Sequence, residues 1–295
     1  MDRGARTLSL IGAGRVGRTL AALWSRQGIF RVQDVLARTP VSTRAAVDFI
    51  GAGRPASDIS GMRPADAWLI ATPDAQIAPC CVGLAQANLL RRRDLVFHCS
   101  GSLPASELAA AAAQGAQVAS VHPLKTFADP GEAARSFAGT YCIGEGDSGA
   151  LAALAPAFEA IGGRFARIAE ADKPLYHAAG VIVCNYLVSL MEVGLRCYER
   201  AGLERATALP MMESLVRETV ENVFRMGTAA ALTGPIARGD VPIVAQHLRL
   251  LRDWRGDVAD IYRALGIVTL ELARKSGADT SRLDEIDSLL RARSD

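Results

Sequence analysis

Along the first half of the chain, short apolar runs alternate with segments whose apolar residues recur every three or four positions. Thr7–Ile11, Val32–Ala37, Trp68–Ala71, Leu95–His98 and Gln117–Val121 are bounded by turn-forming residues and have the length and composition of buried strands. Val16–Gln27 has helical spacing, and the stretches between the later strands are long enough to cross back over a sheet. Thr140–Ile143, Gly149–Ile161 and Gly163–Ile168 add a strand, a helix and a strand. The pattern predicts an α/β domain over residues 1–168, doubly wound around a parallel sheet. From residue 169 the strand signals stop. Lys173–Ala201, Ala206–Arg225, Val241–Leu265, Ile267–Ser276 and Arg282–Arg293 have helical spacing, punctuated by Gly202, Gly234-Pro235, Gly266 and Gly277 as breakers or caps. Residues 169–295 are therefore expected to form an all-α domain.

Composition narrows the function. The apolar stretches, Gly180–Val183 among them, are interrupted within a few residues, short of the roughly 20 that a bilayer demands, so no membrane span is expected. Met1-Asp2-Arg3-Gly4-Ala5-Arg6 lacks the apolar core of a secretory signal, so a cytoplasmic location is expected. The 33 basic and 31 acidic side chains nearly cancel, and the one basic run is Arg91-Arg92-Arg93, so no nucleic-acid partner is expected. Six cysteines without metal-type spacing read as reduced thiols, with no metal site. The helical segments leave more apolar surface, as in Val181–Val193, than five helices easily bury, which predicts a homodimer through the helical domain.

Candidate chemistry starts at Gly12-Ala13-Gly14-Arg15-Val16-Gly17, directly after the first strand and opening a helix. The first glycine permits the tight turn, the second lets a pyrophosphate approach the backbone, and the third lets helix pack on strand. This is the dinucleotide-binding pattern of a Rossmann domain. The second strand ends in Leu36-Ala37-Arg38-Thr39, with Ser42 and Arg44 beyond, while the nearest acid, Asp34, lies inside the strand. An arginine with hydroxyl neighbours suits a 2′-phosphate, so NADP (NADPH) is expected before NAD. Ala71-Thr72-Pro73 and Ser100-Gly101 follow the next two strands where a nicotinamide would pass close to backbone.

A dinucleotide domain followed by a helical domain resembles the 6-phosphogluconate-dehydrogenase-like superfamily, with ketopantoate reductase, pyrroline-carboxylate reductase and prephenate dehydrogenase as characterised relatives. His122-Pro123-Leu124-Lys125-Thr126-Phe127, Tyr176-His177-Ala178-Ala179 and Leu232-Thr233-Gly234-Pro235-Ile236-Ala237-Arg238-Gly239-Asp240 look more closely like a branch that joins a Rossmann-like domain to domain-of-unknown-function family 2520. The resemblance implies an NADP-dependent oxidoreductase and names no substrate.

In the hydroxyacid and ketopantoate enzymes of that superfamily, a lysine and an asparagine four residues apart act at the substrate oxygen. The same spacing here gives Lys173 and His177, one helix face, and either could donate the proton. Asn185, the third catalytic candidate, lies about 120° further around an unbroken helix and joins that face only if the helix bends or a second chain contributes. His122, Lys125, Thr233 and Arg238 are candidates for holding a small anionic carbonyl, imine or hydroxy-acid substrate. Of the 33 basic residues only Lys125, Lys173 and Lys275 are lysines, and an ammonium can pass a proton where a guanidinium does not. The alternatives are a non-catalytic NADP-binding redox sensor and an NADP reductase that acts on a deazaflavin.

Overall fold

The structure is a computed structural model that describes residues 5–292, and the chain forms two compact units divided after Ile182. The first unit runs through β1 (Arg6–Ile11), α1 (Arg15–Arg26), β2 (Phe30–Leu36), α2 (Pro40–Ile50), β3 (Arg54–Pro55), β4 (Ala67–Ile70) and α3 (Ile77–Gln86). It continues with β5 (Leu95–His98), α4 (Ala109–Ala112), β6 (Gln117–Pro123), α5 (Pro130–Arg135), β7 (Tyr141–Gly146), α6 (Ser148–Ala160), β8 (Arg164–Arg167) and α7 (Lys173–Gly180).

The strands make one eight-stranded sheet in the order β3-β2-β1-β4-β5-β6-β7-β8, parallel throughout except where β7 runs against β6. The chain reverses sides between β1 and β4, which opens a crevice at the carboxyl ends of the strands. Alternation along each strand sorts the side chains onto two faces. Leu8, Leu10, Leu69 and Phe97 enter one core with α1 and α6, while Ile11, Trp68, Ile70 and Val96 enter the other. Trp24 anchors the first core: its ring meets Phe30, Phe97 and Phe158 edge-on, and Nε1 donates to the Ala157 carbonyl at 2.8 Å. The expected strands and helices of this unit are present with ends shifted by a few residues. Two-residue β3 carries no hydrophobic pattern and is not foreseen.

The second unit contains α8 (Tyr186–Arg200), α9 (Arg205–Met226), α10 (Thr228–Ala231), α11 (Val241–Trp254), α12 (Gly256–Lys275) and α13 (Thr280–Arg291). Val244, Leu248, Leu270, Leu283, Ile286 and Leu290 of the last three helices form its main core, with a smaller cluster of Leu195, Ala208 and Met212. Two expectations are corrected. The helix break falls at Arg255, whose backbone is extended, and not at Gly266. Gly266 is buried inside α12, where a Cβ would lie 2.7 Å from the Leu290 side chain, so the glycine serves close helix packing. The expected absence of any helix fit to span a membrane also fails: Glu170–Arg200 contains an 18-residue window of mean hydropathy 1.7, with 6% of it buried. Single polar residues such as Asn185 and Ser189 break the apolar letters without lowering the average below that of a span.

Candidate functional site

The glycine loop joins β1 to α1 at the mouth of the crevice. Gly12 sits at φ +88°, and a Cβ there would lie 2.7 Å from the backbone of Ala71; a Cβ at Gly17 would lie 2.8 Å from both Ala71 Cβ and the Gly12 carbonyl. Those two glycines are required by packing against the end of β4. Gly14 differs: its nearest neighbour would be the Ala71 carbonyl at 3.8 Å, so its face is open. Gly14 is also the N-cap of α1 and offers no side chain to the first turn, so Arg15 and Val16 present helix N-terminal amides there. Arg18 reaches back to bond the Ala13 carbonyl through Nε (3.1 Å) and a terminal nitrogen (2.9 Å), which fixes the loop. The residues present fit a dinucleotide pyrophosphate: an open backbone cradle between two closed contacts, at a helix start.

At the tip of β2, Arg38 is exposed and Thr39 caps α2, its hydroxyl accepting from the Ser42 amide at 3.1 Å and donating to Ser42 Oγ at 2.9 Å. Asp34 is fully buried. Arg54 Nε donates to it at 3.0 Å, Arg63 at 2.8 Å, and the Arg63 amide at 2.7 Å. Burial works to raise the Asp34 carboxyl, but the bonds from Arg63 and Arg54 outweigh it and hold the pKa below the usual carboxylate value. A carboxylate so engaged has no oxygen to offer a ribose hydroxyl.

The loops after β4 and β5 are tied together. Asp74 accepts from Ser100 Oγ and Ser102 Oγ, each at 2.9 Å. Beneath them lies a polar row set by strand register: His98 on β5 pairs with Ser120 on β6, which pairs with Glu145 on β7. The Ser100 amide donates to His98 Nδ1 at 3.1 Å, so the ring proton sits on Nε2, 3.0 Å from the Pro104 carbonyl. Burial, with the charge of Lys173, pulls His98 down to about 4. Glu145 Oε1 accepts from the Ala105 amide at 2.9 Å.

Lys173 completes this row. Its side chain is 1% exposed; the ammonium donates to Ser120 Oγ and to Glu145 Oε1, the latter at 2.8 Å. Burial lowers its pKa, against the pull of Glu145. In this structure the ammonium is held in a buried ion pair and does not face open solvent. His177, four residues on, is exposed, so the two do not share an environment. Asn185, exposed, ends a π-turn over Val181–Asn185. Such a turn adds a residue and takes about 100° off the rotation of an unbroken helix.

His122 lies at the carboxyl end of β6, flat against Gly101, where a Cβ would stand 2.9 Å from its ring. Its Nδ1 is 2.8 Å from the Tyr176 hydroxyl, and the rings meet edge-on at 5.8 Å. Burial and the charge of Lys173 lower His122 to about 4, and burial raises Tyr176, so the pair is a neutral imidazole beside a phenol. Tyr176 is not singled out by the sequence alone, although it stands beside His177 in the Tyr176-His177-Ala178-Ala179 motif; the signal that it matters is its distance to His122, which only the fold supplies. Lys125 Nζ donates to the Ser136 carbonyl at 2.9 Å. In the second unit Arg238 is exposed, while Thr233 lines an apolar cavity of about 340 Å³ together with His247 and Tyr262, which are hydrogen-bonded at 3.1 Å.

Residues 3–123 match the family model of a Rossmann-like domain, and residues 140–269 match that of a domain of unknown function, DUF2520. No curated protein matches the chain. Among solved structures, protein TM1727 from Thermotoga maritima is 24% identical over 91% of this chain and 99% of its own, with a TM-score of 0.74. A candidate NADP oxidoreductase, BF3122 from Bacteroides fragilis, is 23% identical over 91% and 99%, with a TM-score of 0.71. An imine reductase from Myxococcus stipitatus in complex with NADP+ is 19% identical over 95% and 99%, with a TM-score of 0.59; a variant of it is solved with NAD+. At these identities the likeness is one of fold.

Proposed function

We propose that this chain, a Rossmann-like domain joined to a DUF2520 domain, is an NADP(H)-dependent oxidoreductase that moves a hydride to or from a small anionic carbonyl, imine or hydroxy-acid substrate. The observation that carries the reading is the contrast within the glycine loop, where Gly12 and Gly17 are closed by packing and Gly14 is open at the start of α1. Glycine also suits a helix N-cap, but unlike a capping Ser, Thr or Asp it leaves the first amides of α1 unoccupied by a side chain and open to an anion. Gly12, Ala13 and Gly14, with the amides of Arg15, Val16 and Gly17, would hold the pyrophosphate. Ala71, Thr72, Pro73, Ser100 and Gly101 would line the nicotinamide end; when bound, the nicotinamide supplies the hydride.

NADP is preferred over NAD on this reading because Asp34 is sequestered by Arg54 and Arg63, while Arg38 stands exposed at the tip of β2 beside the start of α2. The Thr39 hydroxyl is engaged in capping, so the 2′-phosphate preference rests on Arg38. Arg238 of the second unit carries an exposed guanidinium, a group suited to pairing with a carboxylate. The protein acts in the cytoplasm as a homodimer through its helical unit. Calorimetric titration with NADPH and with NADH tests the cofactor: NADPH is expected to bind more tightly, and absence of binding by either overturns the proposal.

A further inference from the structure

Several groups near the carboxyl ends of β4, β5 and β6 could in principle supply a proton, and the structure removes most of them. Lys173 is held by Glu145 and Ser120 and is 1% exposed. His98 is fully buried with both ring nitrogens engaged. Asp74 Oδ2 accepts from two serines. Of the groups that remain, His177 is exposed to solvent, whereas the half-buried pair of His122 and Tyr176 packs against the loop that carries Gly101.

The pair belongs to a double tie between one helix and one strand. Lys173 and Tyr176 stand three residues apart on α7, and Ser120 and His122 two apart on β6, so each pair shares a face of its element. Lys173 meets Ser120 in the buried tie and Tyr176 meets His122 in the accessible one. The lysine thereby fixes the height and rotation of α7, and the tyrosine hydroxyl is presented at the crevice end of the strand. Strand spacing of about 4.8 Å puts β6 roughly 14 Å across the sheet from the glycine loop after β1, the direction in which a dinucleotide extends from its pyrophosphate.

We propose that Tyr176 is the proton donor of the oxidoreductase reaction, with His122 as the residue that positions its hydroxyl and Lys173 as the buried anchor of the helix that carries it. The inference rests on the oxidoreductase reading above. In the reductive direction the carbonyl or imine carbon takes a hydride, with its electron pair, from the reduced nicotinamide. The π electrons move to the oxygen or nitrogen, the Tyr176 O–H bond breaks, and its proton forms the new O–H or N–H bond. His122, with its proton on Nδ1, donates to the phenol oxygen throughout: this leaves the hydroxyl proton free to face the substrate and stabilises the tyrosinate that forms. Water returns the proton to Tyr176 after product leaves.

The test follows NADPH oxidation by the full-length protein against three probes: glyoxylate, pyruvate and 2-methyl-1-pyrroline. Tyr176→Phe is expected to lower kcat at least about a hundredfold, the usual contribution of a general acid, with the NADPH Kd and the melting temperature unchanged. His122→Leu is expected to lose kcat likewise, and His122→Asn, whose amide can still donate to the phenol oxygen, to recover most of it; a merely structural histidine would show no such recovery. A Tyr176→Phe protein that keeps wild-type kcat overturns the assignment alone. A wild-type protein that binds NADPH and turns over none of the three probes instead overturns the oxidoreductase reading, and the assignment with it.

Discussion

At the scale of single residues, the buried polar row decides how this protein responds to acid. His98 has a folded pKa of about 4 against an ordinary 6.5, so between those values the unfolded chain binds more protons than the folded one. Stability from this residue is therefore fully present above pH 6.5 and is lost as the pH falls toward 4, by about 3 kcal/mol at 1.36 kcal/mol per unit. His122 is lowered to about 4 as well and acts in the same direction. Urea unfolding at pH 7 and pH 4.5 is expected to show the loss, and His98→Gln with His122→Asn to flatten it; an unchanged slope in the double variant counts against both histidines. Lys173→Met is expected to cost about 3–5 kcal/mol, because Glu145 is left buried without its cation. Changing Glu145 to Gln in that background should return part of the loss. The scarcity of lysine drew notice to Lys173 in the sequence, but its role was not legible there: Glu145 and Ser120 lie 28 and 53 residues away and meet it only through strand register.

At the scale of elements, the strand runs, the glycine loop and most helices were legible because alternation and helical spacing report burial directly. What escaped depends on partners elsewhere in the chain. β3 exists because Arg54 pairs beside Asp34 on β2, β7 turns antiparallel against β6, and Gly266 lies within α12 because Leu290 packs on it. The glycine loop permits a sharp experiment on the start of α1. Gly14→Ala places a methyl group into open space at an ordinary backbone geometry and loses only the preference of an N-cap for glycine, so stability should fall by no more than about 1 kcal/mol. NADPH affinity measured by calorimetry should nonetheless fall more than tenfold. Gly17→Ala, which meets Ala71 and the Gly12 carbonyl at 2.8 Å, should lower the melting temperature as well. Equal NADPH affinity in Gly14→Ala and wild type would remove the cradle from the proposed site.

At the scale of the whole molecule, the second unit shows more apolar side-chain surface than a lone protomer should. Phe224 is 86% exposed, Val188 69%, Val183 67% and Leu215 58%, on α8, on α9 and on the π-turn before α8. Each large side chain taken out of water contributes about 1.5–3 kcal/mol, so a face of this kind is stable in water only when covered. A bilayer would cover the apolar length of Glu170–Arg200, but a second copy also accounts for α9, which carries Phe224 and Leu215 and lies outside that window. Sedimentation at micromolar concentration is therefore expected to give a mass near twice 31.2 kDa without detergent. Replacing Val188 and Phe224 by Ser should shift the population toward the monomer, while the NADPH binding proposed for the first unit should persist. A wild-type monomer in plain buffer excludes the dimer, and recovery only in detergent or with vesicles assigns the apolar face to lipid instead.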